Sequence, residues 1–110
     1  MIPIYDILIK LSDFAAQVVA KPAVYSAGGF GVRESFAQIA ADVRHADARP
    51  AEGVRTTNAA MIMVIALEQY FASDREPTSP WLMVAGSTLP LLRAEAWVAH
   101  RNEKEARGQS

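Results

Sequence analysis

The spacing of apolar and polar residues along the chain predicts helices. Over residues 4–20, apolar side chains recur every three or four positions and polar ones fill the positions between them, as on an amphipathic α-helix. Pro3 suits the first turn of this helix, and Pro22 closes it. The predicted core face comprises Ile4, Ile7, Leu8, Leu11, Phe14, Ala15, Val18 and Val19.

A second amphipathic helix is predicted over 33–48, after a glycine-rich connection at 25–32. Three of the four residues at 28–31 are glycine, which permits backbone conformations closed to other residues. Pro50 lies beyond the predicted end of the helix. The apolar side of this helix consists of Val32, Phe36, Ile39, Ala40, Val43 and Ala46.

The third predicted helix, over 58–73, is apolar on every side. Thr56 and Thr57 offer side-chain oxygens that can cap it, and residues 59–67 carry no polar side chain. A buried strand is the alternative for such a run, but its alanines and methionines favour a helix. A helix without a polar side is expected in the middle of a structure.

Two further helices are predicted, over 80–86 and 89–105. Ser79 followed by proline matches an N-cap and a first helical position, and Gly86 interrupts the apolar run that follows. A single helix kinked at Pro90 is the alternative.

These elements predict an all-α fold, a compact bundle of four to five helices. A chain of 110 residues has room for one core, so one helical domain is expected over 1–110. The tail at 106–110 ends in small polar residues and is expected to fray.

Composition and charge exclude several classes of function. The chain has no cysteine, which rules out disulfides, thiolate metal sites and a thiol nucleophile. The formal net charge is −1, and the helix after the turn at 49–55 offers no basic side chain to a DNA groove, so nucleic acid is an unlikely partner.

Neither a membrane span nor a secretory leader is predicted. The longest uncharged windows, 56–67 and 77–92, hold twelve and sixteen residues, whereas a bilayer span needs roughly 20 apolar residues. We therefore expect a cytoplasmic protein with no membrane partner. Eight arginines against three lysines, with twenty alanines, hint at a high-GC bacterium or one of its phages.

The residues that most often carry chemistry are sparse and have structural explanations. His45 shares a polar helix face with Asp42, and His100 lies on the polar side of the last helix, so both are interpreted as surface residues. The serines suit helix caps, and no nucleophile elbow is present. We expect no catalytic residue, no metal site and no cofactor.

The last helix carries the most suggestive pattern. Its apolar arc is predicted to include Leu91, Leu92, Val98 and Ala99, with Glu95 inside that arc, where a carboxylate needs a partner or a place at the edge of a contact.

A stripe along the flank of the same helix is a candidate partner contact. Arg93, Trp97 and Arg101 recur every fourth residue, and tryptophan and arginine are enriched at binding hot spots. Trp97 lying over the edge of the core is the alternative. Phe30 and Tyr25, beside the glycines, are two further candidate contact residues.

Two functions follow as hypotheses. The preferred one is a non-enzymatic interaction protein (an adaptor, inhibitor or regulator) that forms a homo-oligomer, with a dimer favoured, and binds another protein. A bundle this small has difficulty covering the apolar stretches at 59–67 and 81–92 within one chain. The alternative is a small-ligand binding or sequestering protein with an anion-accepting pocket between helices or subunits. The residues of that pocket would be Arg33, Met61, Met63, Trp81, Arg93 and Trp97.

Overall fold

The computed structural model describes residues 4–22, 30–47, 58–72 and 78–108. Over these ranges the chain forms a compact helical bundle and contains no strand, which confirms the predicted all-α fold. The four helices are α1 (Ile4–Ala20), α2 (Phe30–Asp47), α3 (Asn58–Ala72) and α4 (Pro80–Gly108).

Helix α1 has the predicted bounds and buries the predicted face. Leu8, Leu11, Ala15 and Val18 are fully buried, and Ser12 is buried among them. At the start of the helix, the backbone N–H of Tyr5 donates to the carboxylate of Glu103, at an N–O distance of 3.0 Å. A residue near the end of α4 thereby provides an acceptor for an amide in the first turn of α1.

Helix α2 begins three residues earlier than predicted. Residues 30–32 are helical, so the predicted connection at 25–32 is too long at its end. Val32 and Phe36 lie one turn apart and both pack on the core. Their burial stabilises the helical conformation through Gly31, although glycine itself favours other conformations. The side that faces the core is the predicted one, with Phe36, Ala40, Val43 and Ala46 buried.

Helix α3 matches its predicted bounds to within one residue, but it does not lie in the middle of the bundle. One side is buried, whereas Ile62 and Ile65 on the other side are 47% and 46% exposed. Within one chain, α3 is therefore not covered on every side, as expected for a bundle too small to cover residues 59–67. Its buried residues are Ala59, Ala60, Met63, Val64, Ala66, Leu67, Tyr70 and Phe71.

The prediction of two helices over 80–86 and 89–105 is wrong, because α4 is continuous through Gly86 and Pro90. Proline lacks the N–H that would bond to the carbonyl four residues earlier. Burial on both sides of this point outweighs that loss, since Leu82, Leu89 and Leu92 all pack into the core.

The start of α4 is held by Ser79, which is buried. Its Oγ accepts the N–H of Trp81 at 3.2 Å, and its carbonyl accepts the N–H groups of Leu82 and Met83 at 3.1 and 3.2 Å. This is the predicted N-cap: its hydroxyl serves the amide of Trp81, which has no intrahelical partner, and its carbonyl accepts the first hydrogen bonds of the helix.

Helix α4 organises the bundle. It packs against α1 and α3, and α2 packs against α1 and α3. Its 29 residues span about 43 Å, close to the 47 Å long axis of the molecule. Next to α2, the rings of Phe14, Phe36 and Phe71 contact one another at centroid distances of 5.5 to 6.2 Å.

Candidate functional site

An exposed apolar surface runs along α3 and α4 on the side away from the core. We call it the outer face and define it by Ile62 and Ile65 of α3 and Val84, Leu91 and Val98 of α4. Each of these side chains is at least 39% exposed, and Leu91 reaches 63%. Single exposed apolar residues are ordinary, but an adjoining set of five is typical of an interaction surface.

The periodicity of α4 explains why its three outer residues form one line. Val84, Leu91 and Val98 are spaced by seven residues, two helical turns, so they lie above one another. The buried residues Leu82 and Leu89 have the same spacing on the opposite side. Because α3 and α4 pack against each other and each buries its opposite side, we infer that their exposed sides lie next to each other.

Small side chains lie between the large ones on α4. Ser87 and Ala94 are exposed and fall three residues after Val84 and Leu91. The row Val84, Ser87, Leu91, Ala94, Val98 therefore has the alternating three- and four-residue spacing of a coiled-coil seam. This row carries no charge, and the next two positions of the seam are the exposed Arg101 and Glu105.

The predicted arginine and tryptophan stripe lies beside the outer face. Arg93, Trp97 and Arg101 are all exposed, and Trp97 is 65% exposed. The alternative interpretation, in which Trp97 covers the edge of the core, does not fit this exposure. Arg93 and Arg101 flank the indole at one turn on either side.

His100 is more than a surface residue, because it lies between two aromatic rings. Its ring centroid is 4.4 Å from that of Tyr5 and 6.0 Å from that of Trp97. This contact, like the bond from Tyr5 to Glu103, joins the start of α1 to the C-terminal half of α4. Trp97 therefore contacts His100, which in turn packs against Tyr5.

The apolar arc of α4 is rotated from the predicted one. Leu92 is buried and Ala99 is half-buried, as predicted, but Leu91 and Val98 belong to the outer face. The residues that fill the core are Leu82, Ala85, Leu89, Leu92 and Ala96.

Glu95 lies between the buried arc and the outer face. Its side chain is half-buried, and its Oε2 is buried without a hydrogen-bond partner among the described residues. The sequence predicted a partner for this carboxylate or a place at the edge of a contact; the residue lies at the edge of the buried arc, but its Oε2 does not have the expected partner among the described residues.

The structure does not assemble the predicted ligand pocket within one chain. Trp81 and Trp97 are sixteen residues apart on one continuous helix, which is about 24 Å. Met63 is fully buried in the core. Tyr25 and the side chains of Phe30 and Arg33 lie outside the described part of the structure.

An open groove does exist between α2 and α3, with a volume of about 530 Å³. Phe36 and Phe71 give it an apolar lining, and Arg44 of α2 and Glu68 of α3 also line it. Sequence reasoning missed it because no local pattern brings these residues of two helices together. Its remaining lining residues are Ala37, Ala40, Ala41 and Ala72.

Arg44 and Glu68 form a two-pronged ion pair across the groove. Nη1 of Arg44 donates to Oε2 of Glu68 at 2.7 Å, and Nη2 donates to Oε1. Hydrogen bonding to Glu68 raises the pKa of the Arg44 guanidinium above its ordinary value. Both side chains remain substantially exposed, so the pair bridges the groove at its surface.

Asp42 and His45, which share a polar face of α2, lie at the surface. Asp42 accepts a hydrogen bond from Nε2 of Gln38 at 3.1 Å, and His45 is exposed one turn further along α2. Within the described ranges, no three His, Asp or Glu side chains come together in a way that could hold a metal ion.

None of the described helices combines the length and apolarity needed to cross a membrane. Comparison of the chain with models of protein families, with curated proteins and with solved structures gave no match. The functional conclusion therefore comes from the geometry of the residues described above.

Proposed function

We propose that this chain is a small, non-enzymatic helical interaction protein that self-associates through the outer face and binds another protein. The observation that supports this most directly is the continuous row of exposed Val84, Leu91 and Val98 beside Ile62 and Ile65. Covering such a surface with another apolar surface removes it from water and is favourable.

The energetics of burial favour association. Full burial of a valine, leucine or isoleucine side chain is worth about 1.5–3 kcal/mol relative to exposure. Five such side chains are 39% to 63% exposed on the outer face. The bundle is 47 Å long and 22 Å wide, which gives room for the roughly 800 Å² per partner of a standard interface.

The arginine and tryptophan stripe is our candidate contact for the second protein. Trp97 presents most of its indole between Arg93 and Arg101, and such residues dominate many interface energies. The stripe flanks the outer face, so a dimer built on that face covers Arg101 and part of Trp97 and leaves Arg93 available to the second protein. The cytoplasmic location and the role as an adaptor, inhibitor or regulator belong to this proposal.

Sedimentation equilibrium of the wild type and of Leu91→Glu tests self-association. The wild type should sediment as a dimer at micromolar concentrations, and Leu91→Glu should shift toward the 12.0 kDa monomer, because a carboxylate would be buried without a partner. Ala37→Glu is the matched control, because Ala37 is an exposed residue of α2 away from the outer face. This variant should remain a dimer. A wild type that stays monomeric at high micromolar concentration contradicts self-association.

A second candidate function, small-ligand binding, is favoured by the groove between α2 and α3. Its aromatic lining and the Arg44–Glu68 pair suit a mostly apolar molecule with one polar group. Native mass spectrometry of protein purified from cells should then show an added small-molecule mass. Ala41→Phe, which fills the groove, should remove that mass, whereas Ala20→Phe, at an exposed position at the end of α1, should retain it.

A further inference from the structure

The outer face of α4 is complementary to itself when two copies run in opposite directions. We propose that the occupant of this face is a second copy of the chain, with the two α4 helices packed antiparallel in one defined register. This inference rests on the proposed self-association and specifies its geometry. In this register Leu91 lies opposite Ala94 of the second copy, and Ser87 lies opposite Val98 of the second copy.

The sizes of the exposed side chains select this register. It forms four successive layers, and each layer sets a large side chain against a small one. Ser87 and Ala94 lack the bulk to hold the helices apart, so the axes can approach toward the short end of the 8–10 Å range of helix packing. Leu91 and Val98, exposed at 63% and 42%, fill the spaces that the small residues leave.

The charges of the seam exclude a parallel arrangement. In a parallel pair, each residue meets its own copy, so Arg101 would face Arg101 and Glu105 would face Glu105. Like charges placed opposite each other disfavour association. The antiparallel pair separates them and sets the aliphatic stem of Arg101 over Val84 of the second copy. It also opposes the two helix dipoles.

Residues beside the seam fit the same arrangement. Pro90 and Trp97 are exposed and lie seven residues, or two helical turns, apart on α4. Trp97 contacts His100, which packs on Tyr5, so these residues are on the flank of α4 next to α1. An antiparallel two-fold axis brings Trp97 of each copy beside Pro90 of the other. On the opposite flank, the rotation places α3 over α3, so that Ile62 and Ile65 also lie within the covered surface.

Because the chain has no native cysteine, single introduced cysteines can report the register. In the antiparallel register, Ser87 of one copy meets Val98 of the other, whereas Ser87 lies about 16 Å along the axis from Ser87 of the second copy. Disulfides require Cα atoms within about 7 Å. A mixture of Ser87→Cys and Val98→Cys proteins should therefore form a mixed disulfide dimer on mild oxidation, and each variant alone should not.

The controls separate this inference from the proposed function. Ala37→Cys, away from the outer face, gives the background of random cross-linking, and circular dichroism checks that each variant keeps its helices. If Ser87→Cys alone cross-links as well as the mixture does, the helices are parallel and the inference is overturned. If the wild type is a dimer but the mixture stays at background, association uses another surface; that result overturns the register and leaves self-association intact. A monomeric wild type overturns both.

Discussion

The carboxylate of Glu103 accepts the backbone N–H of Tyr5 at 3.0 Å, so a residue of the last turns of α4 stabilises the first turn of α1. Ninety-eight positions of sequence separate the two residues. An acidic group at a helix N-terminus satisfies an amide without an intrahelical partner and interacts favourably with the helix dipole.

Removing this acceptor should destabilise the fold. We expect Glu103→Ala to lower the free energy of unfolding by about 0.5–2 kcal/mol, the usual range for a lost N-terminal cap. Glu103→Gln keeps a hydrogen-bond acceptor but loses the charge, so its cost should be smaller, about 0.3–1 kcal/mol. Urea denaturation followed by circular dichroism measures both. The exposed Glu105→Ala is the control, and an equal loss there would contradict the specific role of Glu103.

The N-cap of α4 gives a second prediction. Because Ser79 is buried and its Oγ accepts the N–H of Trp81, Ser79→Ala should cost about 0.5–2 kcal/mol of stability. Thr78→Ala, at the exposed neighbouring position, should change stability by less than about 0.5 kcal/mol. Thermal unfolding of both variants at matched protein concentration tests this, and indistinguishable midpoints would argue against capping by Ser79.

Gly86 should tolerate, and benefit from, a side chain. A Cβ at this position would lie 3.7 Å from Cγ1 of Val19, which is an ordinary van der Waals contact. Because glycine in a helix interior costs about 0.8–1 kcal/mol relative to alanine, Gly86→Ala should stabilise the protein by roughly that amount. Gly108→Ala, where a Cβ meets no atom within 4 Å and the helix ends, should give a smaller gain. A destabilised Gly86→Ala variant would contradict this prediction.

The Arg44–Glu68 pair should contribute little to stability. Both side chains are substantially exposed, and pairs of this kind are worth about 0.2–1 kcal/mol, less at high salt. A double-mutant cycle with Arg44→Ala and Glu68→Ala should give a coupling energy in this range. Because the pKa of Arg44 is raised, its contribution is present below the ordinary pKa of arginine and is lost only as the pH rises beyond it. Between pH 7 and about 10, this coupling should therefore stay constant.

The arginine and tryptophan stripe gives a prediction about binding. Trp97 is 65% exposed, so the double variant Arg93→Ala, Trp97→Ala should retain its helicity while its association weakens at least about tenfold, as expected for a hot spot. Circular dichroism and sedimentation, or a pull-down from host cells, measure the two properties separately. Loss of helicity instead would place Trp97 in the fold, through its contact with His100.

The regular periodicity of α1 was enough to predict its bounds and its buried face, because one side alone could pack. No such asymmetry exists in α3, where residues on every side are apolar, so the sequence could not indicate which side meets the core. Gly86 and Pro90 predicted a break in the last helix, but α4 is continuous. Burial of the residues around them outweighs the unfavourable effect of glycine and proline within a helix. Phe36 and Phe71, which form the groove, come from different helices, and local patterns do not encode their contact.

The seven-residue spacing of Val84, Leu91 and Val98 was visible in the sequence. This spacing aligns the three side chains only if α4 is continuous, because a break near residue 86 would rotate Val84 away from the other two. Long-range packing therefore decided both the element and the candidate surface.

The position of α4 also determines which parts of the protein unfold together. Helices α1 and α3 pack chiefly on α4 and only sparingly on each other, whereas α2 has fewer contacts with the rest of the bundle. If α4 unfolds, α1 and α3 both lose the helix against which they are mainly packed. Amide hydrogens around Leu8, Leu67 and Leu92 should therefore exchange with solvent through one common global unfolding event. Amides of α2 can exchange through a smaller opening that leaves the other three helices folded.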